Sequence, residues 1–190
     1  IWYADGDAKI SKSEYADYLR AIIAELKIKA DEYGIKRPYL LVEPGRSIVG
    51  EAGVTLYTVG NIKEIPGVRK YIAIDGGMFE NPRYALYQAK YTPILANRAR
   101  EAATETVSIA GKCCESGDLI CVDAQLPHAQ SGDILAILST GAYNYSMASN
   151  YNRNLIPPVV LVWKGKADYI VKPQTYEDLV RNDVVPERLR

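Results

Sequence analysis

The sequence has few of the residues that usually bind metal ions. It contains one histidine and three cysteines, and no two cysteines have the C-x-x-C spacing typical of a zinc site. The histidine, His128, follows a proline in a loop-like stretch and is expected to be an ordinary surface residue. We therefore predict no metal centre. An odd number of cysteines, two of them adjacent, favours a reducing compartment, and the cytoplasm is the expected location.

The balance of charge argues against two further classes of protein. The 23 lysine and arginine residues equal the 23 aspartate and glutamate residues, and no basic block with interleaved aromatic residues predicts nucleic-acid binding. No apolar run is long enough to span a membrane, and no charged-then-apolar leader suggests a signal peptide. A globular chain with one ample domain, or with parts of two, is the expectation.

The clearest pattern that is present is a helix over residues 11–33. Ser11 and Glu14 form a capping-box pattern, and Gly34 is a typical helix stop. Apolar residues recur at helical spacing at Tyr15, Tyr18, Leu19, Ile22, Ile23, Leu26 and Ala30. Residues 39–42 are then predicted to form a short buried strand. A helix, an apolar strand and a glycine-containing loop follow one another in this way in β/α barrels.

After Arg46 the sequence changes to short β-like runs separated by glycine, proline, asparagine or aspartate. The predicted strands cover residues 54–59, 71–74, 104–109, 119–122, 134–138, 159–163 and 169–171, and a short helix is predicted at 175–180. This spacing is typical of an antiparallel sandwich or barrel. The predicted fold class is α/β plus all-β, with residues 1–45 as the end of a (β/α)8 barrel and 46–190 as a C-terminal β domain. Since one helix and one strand cannot close a core, and the sequence starts without methionine, we expect a longer protein.

Reactive side chains concentrate at residues 112–118, KCCESGD, which we call the cysteine loop. A thiol can exchange a proton near neutral pH because its reference pKa is about 8.5, and a neighbouring carboxylate can bind an amine. A free cysteine is more often a small buried apolar residue, and that alternative is kept for Cys113. Residues 116–118 are interpreted as the turn of the loop.

Three other motifs carry groups suited to an anionic ligand. Glu43-Pro44-Gly45-Arg46 combines a tight turn with a guanidinium. Arg83 and Tyr87, four residues apart, would share one face of a helical turn and could bind a carboxylate together. Tyr143 follows glycine and alanine at the end of a predicted strand. A structural turn, a surface arginine and a half-buried tyrosine are the alternatives for these motifs.

Together these motifs resemble those of the diaminopimelate decarboxylases, pyridoxal-phosphate enzymes that share a fold type with alanine racemase and eukaryotic ornithine decarboxylase. The resemblance covers essentially the whole chain and includes residues 39–50, 75–78 and 173–179. It implies conversion of meso-2,6-diaminopimelate to L-lysine and CO2 in lysine biosynthesis. It also implies an N-terminal β/α barrel, a C-terminal β domain and a homodimer whose active sites lie at the interface, each completed by the partner's cysteine loop.

The resemblance assigns roles to individual residues. Cys114 is the expected general acid, which protonates the substrate carbon after CO2 has left. The expected substrate contacts are Arg46, Arg83, Tyr87, Glu115 and Tyr143. The expected contacts of pyridoxal 5'-phosphate are Glu43, Gly45, Arg46 and Tyr143.

The chain departs from the family pattern in one respect. Members of the family bind their cofactor through a lysine in a Tyr-Ala-x-Lys setting early in the barrel, and the sequence lacks that region. Residues 87–90 imitate the motif, but Lys90 is expected to be a surface residue. This chain alone is therefore expected to be inactive. The alternatives are a decarboxylase of arginine, ornithine or carboxynorspermidine, and a non-catalytic β module that dimerises or binds a partner.

Overall fold

The first element of the structure is the predicted helix. The structure is a computed structural model and describes residues 12–190. Helix α1 spans Lys12–Glu32, and the chain leaves it at Gly34, whose φ of +63° favours glycine. The helical prediction is confirmed, while the predicted cap Ser11 lies outside the described residues. Much of the apolar face of α1 is exposed, including Tyr18, Ile22 and Ile23.

The predicted buried strand at residues 39–42 is wrong. Residues 35–45 have no regular secondary structure, and the side chains of Tyr39 and Leu41 are 94% and 88% exposed. A strand is stable only when a neighbour pairs with its backbone, and within residues 12–190 none of the strands pairs with this segment. Its apolar pattern therefore has no sheet to join in the described part of the chain.

The remaining chain is mostly β. This part also contains two short helices, α2 (Arg46–Val49) and α3 (Arg83–Tyr87). Six strands form the main sheet: β1 (Thr55–Ile65), β2 (Arg69–Ile74), β3 (Pro93–Leu95), β4 (Glu105–Ala110), β5 (Leu119–Leu126) and β6 (Ile134–Ile137). Their order across the sheet is β3-β6-β1-β2-β4-β5.

The main sheet curls until its two edge strands meet. Strands β3 and β5 contact each other, and the Cys121 thiol of β5 donates to the backbone oxygen of Tyr91, just before β3, at 3.7 Å. The core inside this nearly closed sheet contains Ile72, Ile109, Ile120, Leu135 and Ile137, all fully buried. Near-closure protects the edge strands, which otherwise expose unpaired backbone groups.

The sheet is mixed, whereas the sequence predicted an antiparallel one. Four of the strand pairs are antiparallel, but β2 and β4 run parallel, with Tyr71 opposite Ser108. A parallel pair needs a long crossover connection. Residues 75–104 supply it, and they contain α3 and β3.

The C-terminal part forms a separate hairpin and a short helix. Strands β7 (Val159–Trp163) and β8 (Lys166–Val171) pair antiparallel, and α4 spans Tyr176–Val180. Thr175 caps α4 through a capping box with Asp178, so the predicted terminal helix is confirmed. Within residues 12–190, no helix combines the length and apolar character needed to cross a membrane.

Candidate active site

Two arginines and two tyrosines from separate motifs come together in what we call the arginine–tyrosine cluster. The guanidinium carbons of Arg46 and Arg83 lie 5.2 and 5.3 Å from the ring centroid of Tyr143. The Arg83 carbon also lies 4.5 Å from the ring of Tyr87, as expected for residues four apart in α3. Aromatic rings at these distances from guanidinium groups give cation–π contacts, which hold the charged groups in place.

A close backbone approach positions Tyr143. The amide of Gly141 donates to the Gly50 oxygen, and the amide of Thr140 donates to the Gly53 oxygen, both at 2.9 Å. A Cβ on Gly141 would lie 1.9 Å from the Val49 oxygen, so only glycine fits there. This contact fixes the chain just before Tyr143 against the end of α2.

The turn that precedes α2 faces the same tyrosine. A Cβ on Gly45 would lie 3.0 Å from the Tyr143 hydroxyl oxygen. The turn backbone at Gly45 and the Arg46 guanidinium therefore both lie close to the Tyr143 ring. Phenol and guanidinium donors suit a phosphate or a carboxylate, so these residues fit an anionic cofactor group.

Glu43, by contrast, lies in the exposed segment before the turn. Within residues 12–190, no hydrogen bond or ion pair reaches its side chain. Its expected role at the cofactor therefore stays a prediction.

Three residues beside the cluster were missed by sequence reasoning. Tyr91 is buried and its hydroxyl donates to the Asn144 side-chain oxygen at 3.1 Å. Burial raises the pKa of Tyr91, and the nearby charges of Arg46 and Arg83 partly oppose that rise. Met147 accepts a hydrogen bond from Arg83 through its sulfur at 3.5 Å. Nothing in the sequence distinguished these residues, since Tyr91 is one of fifteen tyrosines.

The cysteine loop joins β4 to β5 and presents its two thiols differently. Cys114 is exposed and Cys113 is partly buried. Burial raises the pKa of the Cys113 thiol to about 11, and the Asp118 carboxylate adds to this effect. The Cys113 thiol is therefore protonated at neutral pH, and Cys114 is the more exposed of the two residues.

Asp118 connects the cysteine loop to the turn after β2. Its carboxylate, 4% exposed, accepts from the Met78 amide and from the Cys113 amide, both at 2.7 Å. The Lys112 amide also donates to the Gly76 oxygen at 2.9 Å. The structure thus supports the interpretation of residues 116–118 as the structural part of the loop, and shows that Asp118 fastens it to a neighbouring turn.

Glu115 lies at the exposed tip of the loop. Its carboxylate accepts from the Gly117 amide at 3.2 Å and from the Tyr151 hydroxyl at 3.5 Å. The contacts of the cysteine loop therefore run to the turn after β2 and to residues 151–154, while Tyr143 joins the arginine–tyrosine cluster. Residues 139–154 connect the two groups along the chain.

Other side chains lie where the sequence predicted them. His128 is exposed and its Nδ1 lies 2.6 Å from the Glu105 carboxylate on the sheet surface, and Lys90 is exposed. Both surface predictions are confirmed. Among the side chains described for this chain, no three histidine, cysteine, aspartate or glutamate residues cluster as a metal ion would require.

Comparison with known proteins agrees with the resemblance of the motifs. Residues 4–141 match the family described as pyridoxal-dependent decarboxylase, C-terminal sheet domain. The chain belongs to this family. It is 54% identical over 184 residues to the diaminopimelate decarboxylase of Bacillus subtilis, which covers 97% of this chain and 41% of that protein. It is 53% identical over 185 residues to that of Staphylococcus aureus, covering 96% and 43%.

Solved structures of family members agree with the fold. The diaminopimelate decarboxylase of M. jannaschii in complex with L-lysine superposes with a TM-score of 0.74 at 40% identity, covering 86% of this chain and 37% of that one. The chain thus spans about two fifths of the relatives it matches, and corresponds to their C-terminal portion.

Proposed function

We propose that the protein containing this chain decarboxylates meso-2,6-diaminopimelate to L-lysine and CO2 in lysine biosynthesis, using pyridoxal 5'-phosphate. The observation that carries the proposal is the Tyr143 ring in contact with both Arg46 and Arg83. Two fixed guanidinium groups beside a phenol form a site for a ligand with more than one anionic group. The cofactor phosphate and the distal carboxylate of diaminopimelate are such groups.

The domain arrangement follows the same proposal. Residues 1–45 would be the end of the catalytic barrel and residues 46–190 the C-terminal β domain. The exposed apolar side chains of Tyr39 and Leu41 support this division, because apolar surface of this kind is usually covered by another part of a protein. The protein would act as a cytoplasmic homodimer, and three unpaired cysteines support that compartment.

Gly45, Arg46 and Tyr143 would hold the cofactor, with Glu43 bordering it. When bound, the cofactor supplies the electron sink that makes loss of CO2 from an amino acid possible. A Cβ on Gly45 would lie only 3.0 Å from the Tyr143 hydroxyl, so glycine gives the turn backbone its close approach to the phenol. Arg46 adds a fixed positive charge that the phenol ring keeps in place.

Arg83, Tyr87 and Arg46 would bind the distal carboxylate of the substrate, and Glu115 would bind its distal ammonium group. The charges match the two ends of that amino-acid group. A substrate without the distal carboxylate would leave a guanidinium without its anion, which is costly in a site built for one. This difference would separate diaminopimelate from ornithine or arginine.

Cys114 would protonate the substrate carbon from which CO2 has departed. Its thiol is exposed on a loop, so a group outside this chain can reach it. Such exposure supports a role in the active site of the second subunit. The neighbouring Cys113 is held as a neutral thiol by burial and by Asp118, and so serves packing in this proposal.

The proposal is tested by CO2 release from the full-length protein loaded with pyridoxal phosphate. Diaminopimelate, ornithine and arginine are offered in parallel, and residues 1–190 alone serve as a second sample. We expect release from diaminopimelate only, and none from residues 1–190, which lack the cofactor lysine. CO2 release from ornithine or arginine instead would show that the substrate assignment is wrong. No CO2 release from any of the three would favour a non-catalytic module.

A further inference from the structure

The cysteine loop is contacted by a short segment rich in asparagine, residues 150–154 with the sequence NYNRN. Asn152 accepts a hydrogen bond from the Cys114 amide through Oδ1 at 2.8 Å. Asn154 donates from Nδ2 to the Cys113 sulfur at 3.7 Å, and the Tyr151 hydroxyl donates to Glu115 at 3.5 Å. Three side chains of this segment thus contact three consecutive residues of the loop, among them the proposed proton donor Cys114 and the proposed substrate contact Glu115.

The backbone of the segment is suited to asparagine. Asn152 has a φ of 52° and Arg153 a φ of 58°, in the left-handed region that asparagine tolerates better than most residues. Position 152 therefore needs a residue that accepts this conformation and also offers a side-chain oxygen. Asparagine and aspartate meet both requirements, whereas glycine meets only the first.

The segment is itself fixed to the C-terminal part of the chain. Arg153 donates to the Leu179 oxygen at 2.7 Å and pairs with Asp183 at 3.1 Å. The Asn150 amide donates to the Gln174 side-chain oxygen at 2.6 Å. The contact between Asn152 and Cys114 therefore joins the loop to a supported element and not to another free loop.

We propose that Asn152 is a positioning residue for Cys114. The loop carrying the thiol has an exposed tip, and the Asn152 bond fixes its backbone at the residue whose side chain must meet the substrate carbon. A proton donor that is misplaced by about 1 Å can lose about 100-fold in rate. The proposal rests on the function proposed above, because it assigns Asn152 a part in the same proton transfer.

The test compares two variants of the full-length holoenzyme, Asn152→Gly and Asn152→Asp. Glycine keeps the left-handed backbone and loses the acceptor, while aspartate keeps both. Asn97→Ala is the matched control, since the Asn97 side-chain oxygen also accepts a backbone amide, that of Ile134 at 3.0 Å, at the start of β6. Asn97→Ala removes this bond, together with the one that Asn97 donates to Asp133 at 2.8 Å, outside the cysteine loop.

We expect Asn152→Gly to lower kcat for CO2 release from diaminopimelate by about tenfold or more while KM changes by less than about threefold. Asn152→Asp is expected to restore most of kcat, and Asn97→Ala to leave it unchanged. If Asn152 had a purely structural role, both Asn152→Gly and Asn97→Ala would lower the thermal midpoint, and Asn152→Gly would not lower kcat selectively. Equal kcat in wild type and Asn152→Gly would overturn the proposal.

Amide hydrogen exchange at Cys114 provides a readout that does not depend on activity. In the wild-type protein this amide should exchange about tenfold or more slowly than an open amide, and Asn152→Gly should remove that protection. If wild type releases no CO2 but the protection depends on Asn152, the proposed function fails while the contact stands. If Asn152→Gly does not fold, the exchange rate of the Cys114 amide in the wild-type protein is the test. Fast exchange of that amide would exclude the positioning contact.

Discussion

At the scale of single residues, the candidate site depends on arginines held by aromatic rings. Arg83 contacts both Tyr87 and Tyr143, so its guanidinium is oriented before any ligand arrives. Preorganised groups contribute more to recognition because less freedom is lost on binding. The spacing of Arg83 and Tyr87 predicted their shared face, whereas the contact with Tyr143 connects residues sixty positions apart and left no sign in the sequence.

Arg83→Ala should distinguish substrates by their distal carboxylate. In the full-length enzyme, kcat/KM for diaminopimelate is expected to fall by about 100-fold or more, since a charged hydrogen-bond partner is lost. Any residual turnover of a plain diamino acid should fall much less. The measurement is CO2 release at several concentrations of each substrate.

Arg69→Ala is the control for this change, because Arg69 also lies over a tyrosine ring, that of Tyr71 at 5.9 Å, in β2. Arg69→Ala should leave kcat/KM unchanged for both substrates. Equal losses on the two substrates in Arg83→Ala would remove Arg83 from distal recognition.

At the scale of elements, the apolar runs predicted most strands but not their pairing. All seven predicted runs after Arg46 coincide with observed strands. Strand β3 was missed because it has three residues and begins with proline, a residue that usually interrupts strands. The parallel pairing of β2 with β4 was also missed, since a run of apolar residues carries no information about whether its neighbour is parallel.

Asp118 joins two of these elements, and Asp118→Asn should weaken that junction. Each carboxylate oxygen accepts one backbone amide, but an asparagine side chain has one acceptor oxygen and one donor group. One amide would then face a donor, with a cost of about 1–3 kcal/mol in the free energy of unfolding. Urea denaturation of the full-length protein measures it.

Asp123→Asn serves as the control for Asp118→Asn. Asp123 is exposed in β5 with a φ of 55°, which asparagine also accepts. Its change is expected to cost less than about 0.5 kcal/mol. A cost for Asp118→Asn as small as that of the control would contradict the role of Asp118 as a junction.

At the scale of the whole molecule, a buried carboxyl group links stability to pH. Glu80 is 5% exposed and accepts the Gly77 amide at 2.8 Å. Burial raises the pKa of Glu80 from its usual 4.5 to about 7, and the Asp118 charge contributes to the rise. Between these two values the folded protein retains a proton that the unfolded chain has lost.

The folded state therefore loses stability as pH rises from about 4.5 to about 7, at no more than about 1.4 kcal/mol per pH unit from this group. Above pH 7 the penalty is constant, because Glu80 is then ionised in both states. Glu80→Gln is neutral throughout and should show a correspondingly shallower decline. Urea midpoints of the full-length protein across this pH range measure the difference.

The control is Glu64→Gln, which changes an exposed carboxyl of β1 and should follow the wild-type curve. Parallel curves for Glu80→Gln and wild type would show that Glu80 ionises freely in the folded protein.

The close approach of Gly53 and Gly141 limits how this sequence can change in evolution. A Cβ on Gly53 would lie 2.3 Å from the Gly141 Cα, and every single-nucleotide change in a glycine codon that alters the residue adds a side chain or ends the chain. Any point mutation that replaces either glycine therefore forces the two backbones apart. We expect both glycines to be retained during evolution, and with them the position of Tyr143.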